Sequence, residues 1–245
     1  MRGSCDGPKV VVFDFDETLG SFQELSVFYN ILCNYLRPNA VTRQAILFAL
    51  LDACPEYLRP DIISILTYLK EKHQCGDCYK VLIYTNNQGP TVWCEMIKNY
   101  LHGKLNYVLI DRIVGAFKVN GRVVEVRRTS TEKKTSDLLH CAMLPKNTRI
   151  CFVDDHHYEK MNNVYYIKVH PYVHNLTFHV LMTRFLGTTI SKKMGVRQNR
   201  FVSYFNKHIH EYQYRFREKD EEEYELDGII SKRLFELLNE FFRPV

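Results

Sequence analysis

The segment Asp14-Phe15-Asp16-Glu17-Thr18 places two carboxylates two residues apart, directly after an apolar run at 10–13. One could act as a nucleophile and the other as a proton donor, the two roles that cleavage of a phosphate ester requires. Three further polar clusters follow. Thr85-Asn86-Asn87 succeeds the run at 80–84, Lys133-Lys134 precedes a short helical pattern, and Asp154-Asp155 succeeds the run at 149–153. Removing a phosphoryl group takes an in-line nucleophile, charge neutralisation and a proton for the leaving oxygen. A carboxylate approaching a phosphate dianion is repelled, so a divalent cation and an ammonium are the natural remedy. Mg²⁺ suits such a site because it takes oxygen ligands and keeps several waters.

Roles follow from position. Asp14, the first polar residue after its run, is the expected nucleophile, forming an aspartyl phosphate. Asp16 is the expected acid for the leaving group and then the base for water, with its main-chain carbonyl on the metal. The Thr85 hydroxyl and the loop at Asn86 are expected to hold phosphate oxygens. Of the two lysines, Lys134 stands nearer the helix start and is preferred over Lys133 for neutralising the phosphate. Asp14, Asp16, Asp154 and Asp155 form the expected Mg²⁺ set, with Asp155 as ligand or supporting partner.

Positioning these groups requires a scaffold. Segments 9–13, 80–84, 149–153 and 164–169 are apolar at consecutive positions, which predicts strands buried on both faces in a parallel sheet. Helical patterns lie between them: one opening at Arg59-Pro60 with Ile62, Ile65, Leu66 and Leu69, one opening at Gly89-Pro90 with Trp93, Met96, Ile97 and Tyr100, and a shorter one over 136–143. This alternation predicts an α/β, Rossmann-like sheet flanked by helices, with ligands at the carboxyl ends of the strands. A helical insert at 20–56 follows the first strand and could form a small cap. The core is expected to occupy 1–190, with a helical C-terminal extension at 191–245.

These residues closely resemble the phosphatase motifs of the haloacid-dehalogenase superfamily: DFDET at 14–18, Thr85 in YTNN, a Lys before the penultimate helix, and FVDD at 152–155. The resemblance covers residues 9 to 170. It implies a Rossmann-like core, Mg²⁺ and an aspartyl-phosphate intermediate, and an Asp at position 16 is typical of the superfamily's phosphatases and mutases. The DxDET-L start and Leu58-Arg59-Pro60 look like the RNA polymerase II C-terminal-domain phosphatases, including the NLI-interacting-factor-like group, which implies a phosphoserine substrate. Two features depart from that group: the size of the 20–56 insert, and Thr-Ser-Asp-Leu after the lysines.

With 245 residues and a net charge of +5, the composition is that of an ordinary globular chain, which excludes disordered and fibrous classes. The apolar runs are too short to span a bilayer, and residues 1–8 carry no leader pattern, so an intracellular location, cytoplasmic or nuclear, is expected. Most of the eight cysteines sit in apolar segments. Cys75 and Cys78 make half a zinc site at most and are expected to be free thiols around Gly76. Basic clusters at 127–134 and 192–200 suit an anionic substrate without establishing nucleic-acid binding. Arg127 and Arg128 are expected on the surface of a hairpin at Asn120-Gly121, and His156, His157 and His170 as bystanders. The leading expectation is a phosphatase acting on a phosphorylated protein or peptide. The alternatives are a nucleic-acid end phosphatase or nucleotidase, and a binding or scaffold protein that has kept the fold. No oligomeric state follows from the sequence.

Overall fold

A computed structural model describes residues 7–212 and 216–244. Its centre is a five-stranded parallel sheet in the order β3-β2-β1-β6-β7. The strands are β1 (Lys9–Phe13), β2 (Lys80–Tyr84), β3 (Ile110–Val114), β6 (Arg149–Asp154) and β7 (Tyr165–Lys168), while β4 (Lys118–Val119) and β5 (Arg122–Val123) form a separate hairpin. The three central strands are buried on both faces, as their unbroken apolar runs require. β7, read as buried on both faces, is an edge strand in which only Ile167 is fully buried. β3 was not expected. It is the opposite edge, and its Asp111 and Arg112 interrupt the apolar run that would have announced it.

Helices α1 (Gln23–Leu36) and α2 (Ala40–Ala53) make up the insert, followed by α3 (Ile62–Gln74), α4 (Thr91–Leu105) and α5 (Thr135–Cys141). Arg37 ends α1 in the left-handed conformation, and Asn39 caps α2 by accepting from Thr42 N. Pro60 does not open α3 directly: the helix starts at Ile62, after Asp61 turns left-handed. The C-terminal segment supplies α6 (Phe178–Gly187), α7 (Thr189–Lys193), α8 (Gln198–His208) and α9 (Glu221–Phe242).

Residues 191–245, expected as an extension, share the main core. Phe201 and Phe205 of α8 pack on Phe28 of α1, and Phe241 of α9 packs on Tyr165 of β7. Phe28, Phe201, Phe205 and Phe241 belong to the same buried cluster as Val11, Phe13 and Ile83 of the sheet. A second, smaller cluster on the other face joins Val10, Val12 and Phe152 to Leu138 and Cys141 of α5. Cys75 and Cys78 are free thiols flanking Gly76, whose φ of +84° makes the turn. Among the described residues no helix is long and apolar enough to cross a membrane.

The order of strands matters for function. From β1 the chain passes to β2 on one side, whereas β6 flanks β1 on the other. Such a reversal opens a crevice at the carboxyl ends of the two central strands. Phe13 is paired with Val153, and Asp14 N donates to Val153 O at 2.8 Å, so Asp14 and Asp154 leave the sheet side by side at that crevice.

Candidate active site

Four separated segments meet at this crevice. Asp14, Thr85, Lys133, Asp154 and Asp155 are all buried there. The Lys133 ammonium is held 2.6 Å from Asp14 Oδ1 and 2.7 Å from Asp154 Oδ2. The rings of Tyr84, Phe152 and Tyr158 surround it, with centroids 5.2 to 5.8 Å away. Burial alone would pull the lysine's pKa down. Its two carboxylate partners outweigh that effect and hold the pKa above its ordinary value. On Asp14 the balance runs the other way: burial, only partly offset by Lys133, raises its carboxyl.

The expectation for Lys134 is corrected. Lys134 occupies the position before α5 in an extended conformation, and its ammonium bonds Thr129 Oγ1 at 3.0 Å. Neighbouring residues of extended chain project to opposite sides, so when Lys133 points into the crevice Lys134 must point out. Nearness to the helix start was the wrong criterion.

Asp16 is also enclosed, and burial pushes its carboxyl up to about 6 despite a hydrogen bond from Asn87. That bond, Asn87 Nδ2 to Asp16 Oδ2, measures 2.7 Å. Asn87 in turn donates its main-chain N–H to Thr85 Oγ1 and accepts from Gly89 N, so the β2 loop is closed on itself. Asn86, expected at the phosphate, is engaged elsewhere. Its amide donates to Tyr158 Oη at 3.3 Å and its oxygen accepts from Arg128 at 2.9 Å.

Arg128 is not a surface residue, and that expectation too is corrected. Its buried guanidinium donates to Thr85 O, Gly115 O, Thr131 O and Asn86 Oδ1. It ties the ends of β2 and β3 to the segment carrying Lys133. Arg59 does the same for the β1 loop, donating to Thr18 O, Glu17 O and His170 O. Glu17 sits at φ +57°, a strained conformation for a residue with a side chain. Its carbonyl accepts from both Arg59 and Tyr172 N, and its own N–H donates to Gly20 O. Gly20 is required here, because a Cβ would stand 2.4 Å from Tyr57 O.

The acidic pair divides its labour. Asp154 accepts from Lys133 through Oδ2 and from the N–H of His156 through Oδ1, each oxygen keeping a second lone pair, and with Asp155 and His156 it forms a cluster whose ligand atoms lie within 4.8 Å of one another. Burial lifts its carboxyl to about 6. Asp155 accepts from Thr18 Oγ1 through Oδ1, while its buried Oδ2 receives no hydrogen bond. His156 Nδ1 approaches that oxygen to 2.7 Å but outside hydrogen-bonding alignment. A buried carboxylate oxygen without an aligned donor, near enough to Asp14 to raise its pKa, is what an oxygen-seeking cation would complete. The donor set therefore fits Mg²⁺. His157 and His170 take no part in this arrangement: His157 faces the Tyr166 ring and His170 Nδ1 lies by Pro171 O.

Comparisons with protein-family models, with curated proteins and with solved structures found no match to this chain.

Proposed function

We propose that this chain is a Mg²⁺-dependent phosphomonoesterase of haloacid-dehalogenase type, working through an aspartyl phosphate on Asp14 and acting on protein phosphoserine or phosphothreonine. The observation that carries the reading is the Lys133 ammonium held between Asp14 and Asp154 at the carboxyl ends of adjacent strands. A cationic group fixed beside a buried carboxylate is poised to neutralise a phosphate brought to that carboxylate.

In the first step Asp14 attacks phosphorus, the bond to the leaving oxygen breaks, and Asp16 gives that oxygen its proton. In the second, water attacks the aspartyl phosphate, Asp16 takes the water's proton, and Asp14 is released with inorganic phosphate. A carboxyl with a pKa of about 6 can hold a proton for the first step and accept one in the second. Asn87 fixes its orientation. Thr85 Oγ1 already accepts the Asn87 N–H and keeps its own proton to donate to a phosphate oxygen. Asp154 positions Lys133 rather than the substrate. Mg²⁺, held by Asp14, the Asp16 carbonyl and Asp155, would lower the charge that opposes the attack.

The protein substrate is supported by the shape of the insert. The insert that borders the site is two helices, and among the described residues it leaves the site open on that side rather than enclosing a metabolite. The test is turnover of an aryl phosphate and a phosphoserine peptide in Mg²⁺ and in EDTA, beside Asp14→Asn. Metal-dependent hydrolysis of the peptide, lost in the variant, is expected. Turnover that survives Asp14→Asn would overturn the assignment of the nucleophile.

A further inference from the structure

A groove of about 1020 Å³ opens beside Asp16 and Asn87, between the insert helices and α4. Its floor is apolar: Tyr29 of α1 and Trp93 and Met96 of α4 are buried there, the Tyr29 and Trp93 rings 5.4 Å apart at 49°. Its rim is exposed, with Val92 on one side and Arg43 of α2 on the other. It is therefore an open trough rather than a closed chamber, and Asp16 stands at its inner end. An ester whose phosphorus faces Asp14 and whose leaving oxygen faces Asp16 must lay the rest of its leaving group along this trough.

Three features say what the leaving group is. Asn30, Gln44 and Asn175 line the trough, and none of their side-chain amides hydrogen-bonds to protein among the described residues. Each offers a donor and an acceptor, the pair that a peptide backbone needs. The Trp93 indole N–H likewise donates to no described protein group. The Arg43 guanidinium donates to Pro38 O through Nε, and its terminal nitrogens have no acidic partner among the described residues. A nucleotide fits less well, because Asp16 and Glu17 at the inner end would repel a polyphosphate.

We propose that this groove is the specificity subsite for the peptide chain flanking the phosphoresidue, seating a large apolar side chain against Trp93 and Met96 and an acidic side chain farther out at Arg43. The proposal rests on the phosphatase reading above, with the substrate chain now given a place and a preferred sequence character.

Trp93 is the single tryptophan of the chain, so its fluorescence reports occupancy of this groove directly. The experiment titrates Asp14→Asn protein with phosphoserine peptides carrying Phe or Ala beside the phosphoresidue, each with Glu or Gln farther out, and with nucleoside monophosphates. Turnover of the same panel by wild-type protein is measured in parallel. The Phe peptide should shift Trp93 emission and bind at least about tenfold more tightly than the Ala peptide, the smallest gain expected from burying that ring. The Glu-for-Gln advantage should disappear in Arg43→Gln. Equal affinity for Phe and Ala peptides, or a nucleotide binding more tightly than every peptide, overturns the groove assignment even if the enzyme is active. Phe-selective binding without turnover of any substrate would instead sink the phosphatase reading and leave the groove standing.

Discussion

Lys133 meets Asp14 across 119 positions of sequence, with Nζ 2.6 Å from Oδ1 and both side chains buried. The pair is closed by Asp154, which takes a second bond from the same ammonium at 2.7 Å. Two buried carboxylates share one cation, so the cluster has an excess of negative charge that the protein alone does not cancel. Burial raises both Asp14 and Asp154 above their ordinary value, and Lys133 offsets that rise only in part. A substrate phosphate would worsen it, whereas a divalent cation at Asp155 would relieve it.

Lys133→Met should therefore damage stability and turnover together. Removing one partner of a buried ionic cluster costs about 3–5 kcal/mol, because the charges left behind lose their compensation. Activity should fall by about 10²–10³-fold, the range seen when one charge-stabilising donor is removed. Lys134→Met removes only a bond to Thr129 on the outside and should change stability by about 0.5 kcal/mol or less. Denaturant titration and turnover of both variants provide the check. Equal effects of the two substitutions would count against the assignment of Lys133.

Asp154 and Asp155 should separate in a metal titration. Asp155→Ala removes the buried oxygen that no hydrogen bond satisfies, and should weaken Mg²⁺ binding by more than the 10–100-fold typical of an outer partner. Asp154→Asn keeps the acceptor for the His156 N–H and should cost metal affinity less, while loosening Lys133 and lowering turnover. Calorimetric titration with Mg²⁺ decides it. A larger loss of affinity in Asp154→Asn would reverse the two roles.

Arg128→Lys should fail to restore what Arg128→Ala loses. The guanidinium serves four acceptors from three segments, and an ammonium on a flexible stem cannot copy that fork. Each variant should lose about 2–4 kcal/mol, since buried carbonyls are left without donors. Turnover should drop as well, because the loop carrying Thr85 and Asn87 loses its anchor. Thermal denaturation at fixed pH and kcat on an aryl phosphate measure both effects. Wild-type stability in Arg128→Lys would show that the charge, not the geometry, matters.

How far these features could be read from the chain depends on where their causes lie. The central strands announce themselves, since a strand covered on both faces must be apolar throughout, and Asp14, Thr85 and Asp154 mark the points where each run ends. β3 stayed hidden because one edge faces solvent and tolerates Asp111 and Arg112. Lys133 could not be told from Lys134, because the rotation of a short extended stretch is fixed by what it packs against. Arg128 reads as a surface residue, and Arg59 as no more than the start of a helix, for the same reason. Their burial is stabilised by carbonyls that only the folded chain brings together. Asn87 resembled ordinary turn chemistry, and half of its role is that; the bond to Asp16 is visible only once β1 and β2 lie side by side.

Asp16 supplies a prediction in which function opposes stability. Its carboxyl lies at about 6 in the folded chain against an ordinary 3.8, with burial the main cause. Between about pH 4 and pH 6 the folded protein thus binds a proton that the unfolded chain has released. Stability consequently falls as pH rises through that window, and above it the full penalty persists. A shift of this size corresponds to up to ~3 kcal/mol at neutral pH. Asp16→Asn keeps the shape and an oxygen for Asn87 while abolishing the charge. In metal-free buffer the variant should melt higher than wild type at pH 7.5 and equally at pH 4. In Mg²⁺ it should hydrolyse substrate far more slowly, because no proton reaches the leaving oxygen. Melting curves at the two pH values, with turnover at pH 7.5, test both statements. A variant no more stable than wild type at pH 7.5 would mean that the buried carboxylate is already compensated, and the pKa of Asp16 would no longer suit it to the acid–base role.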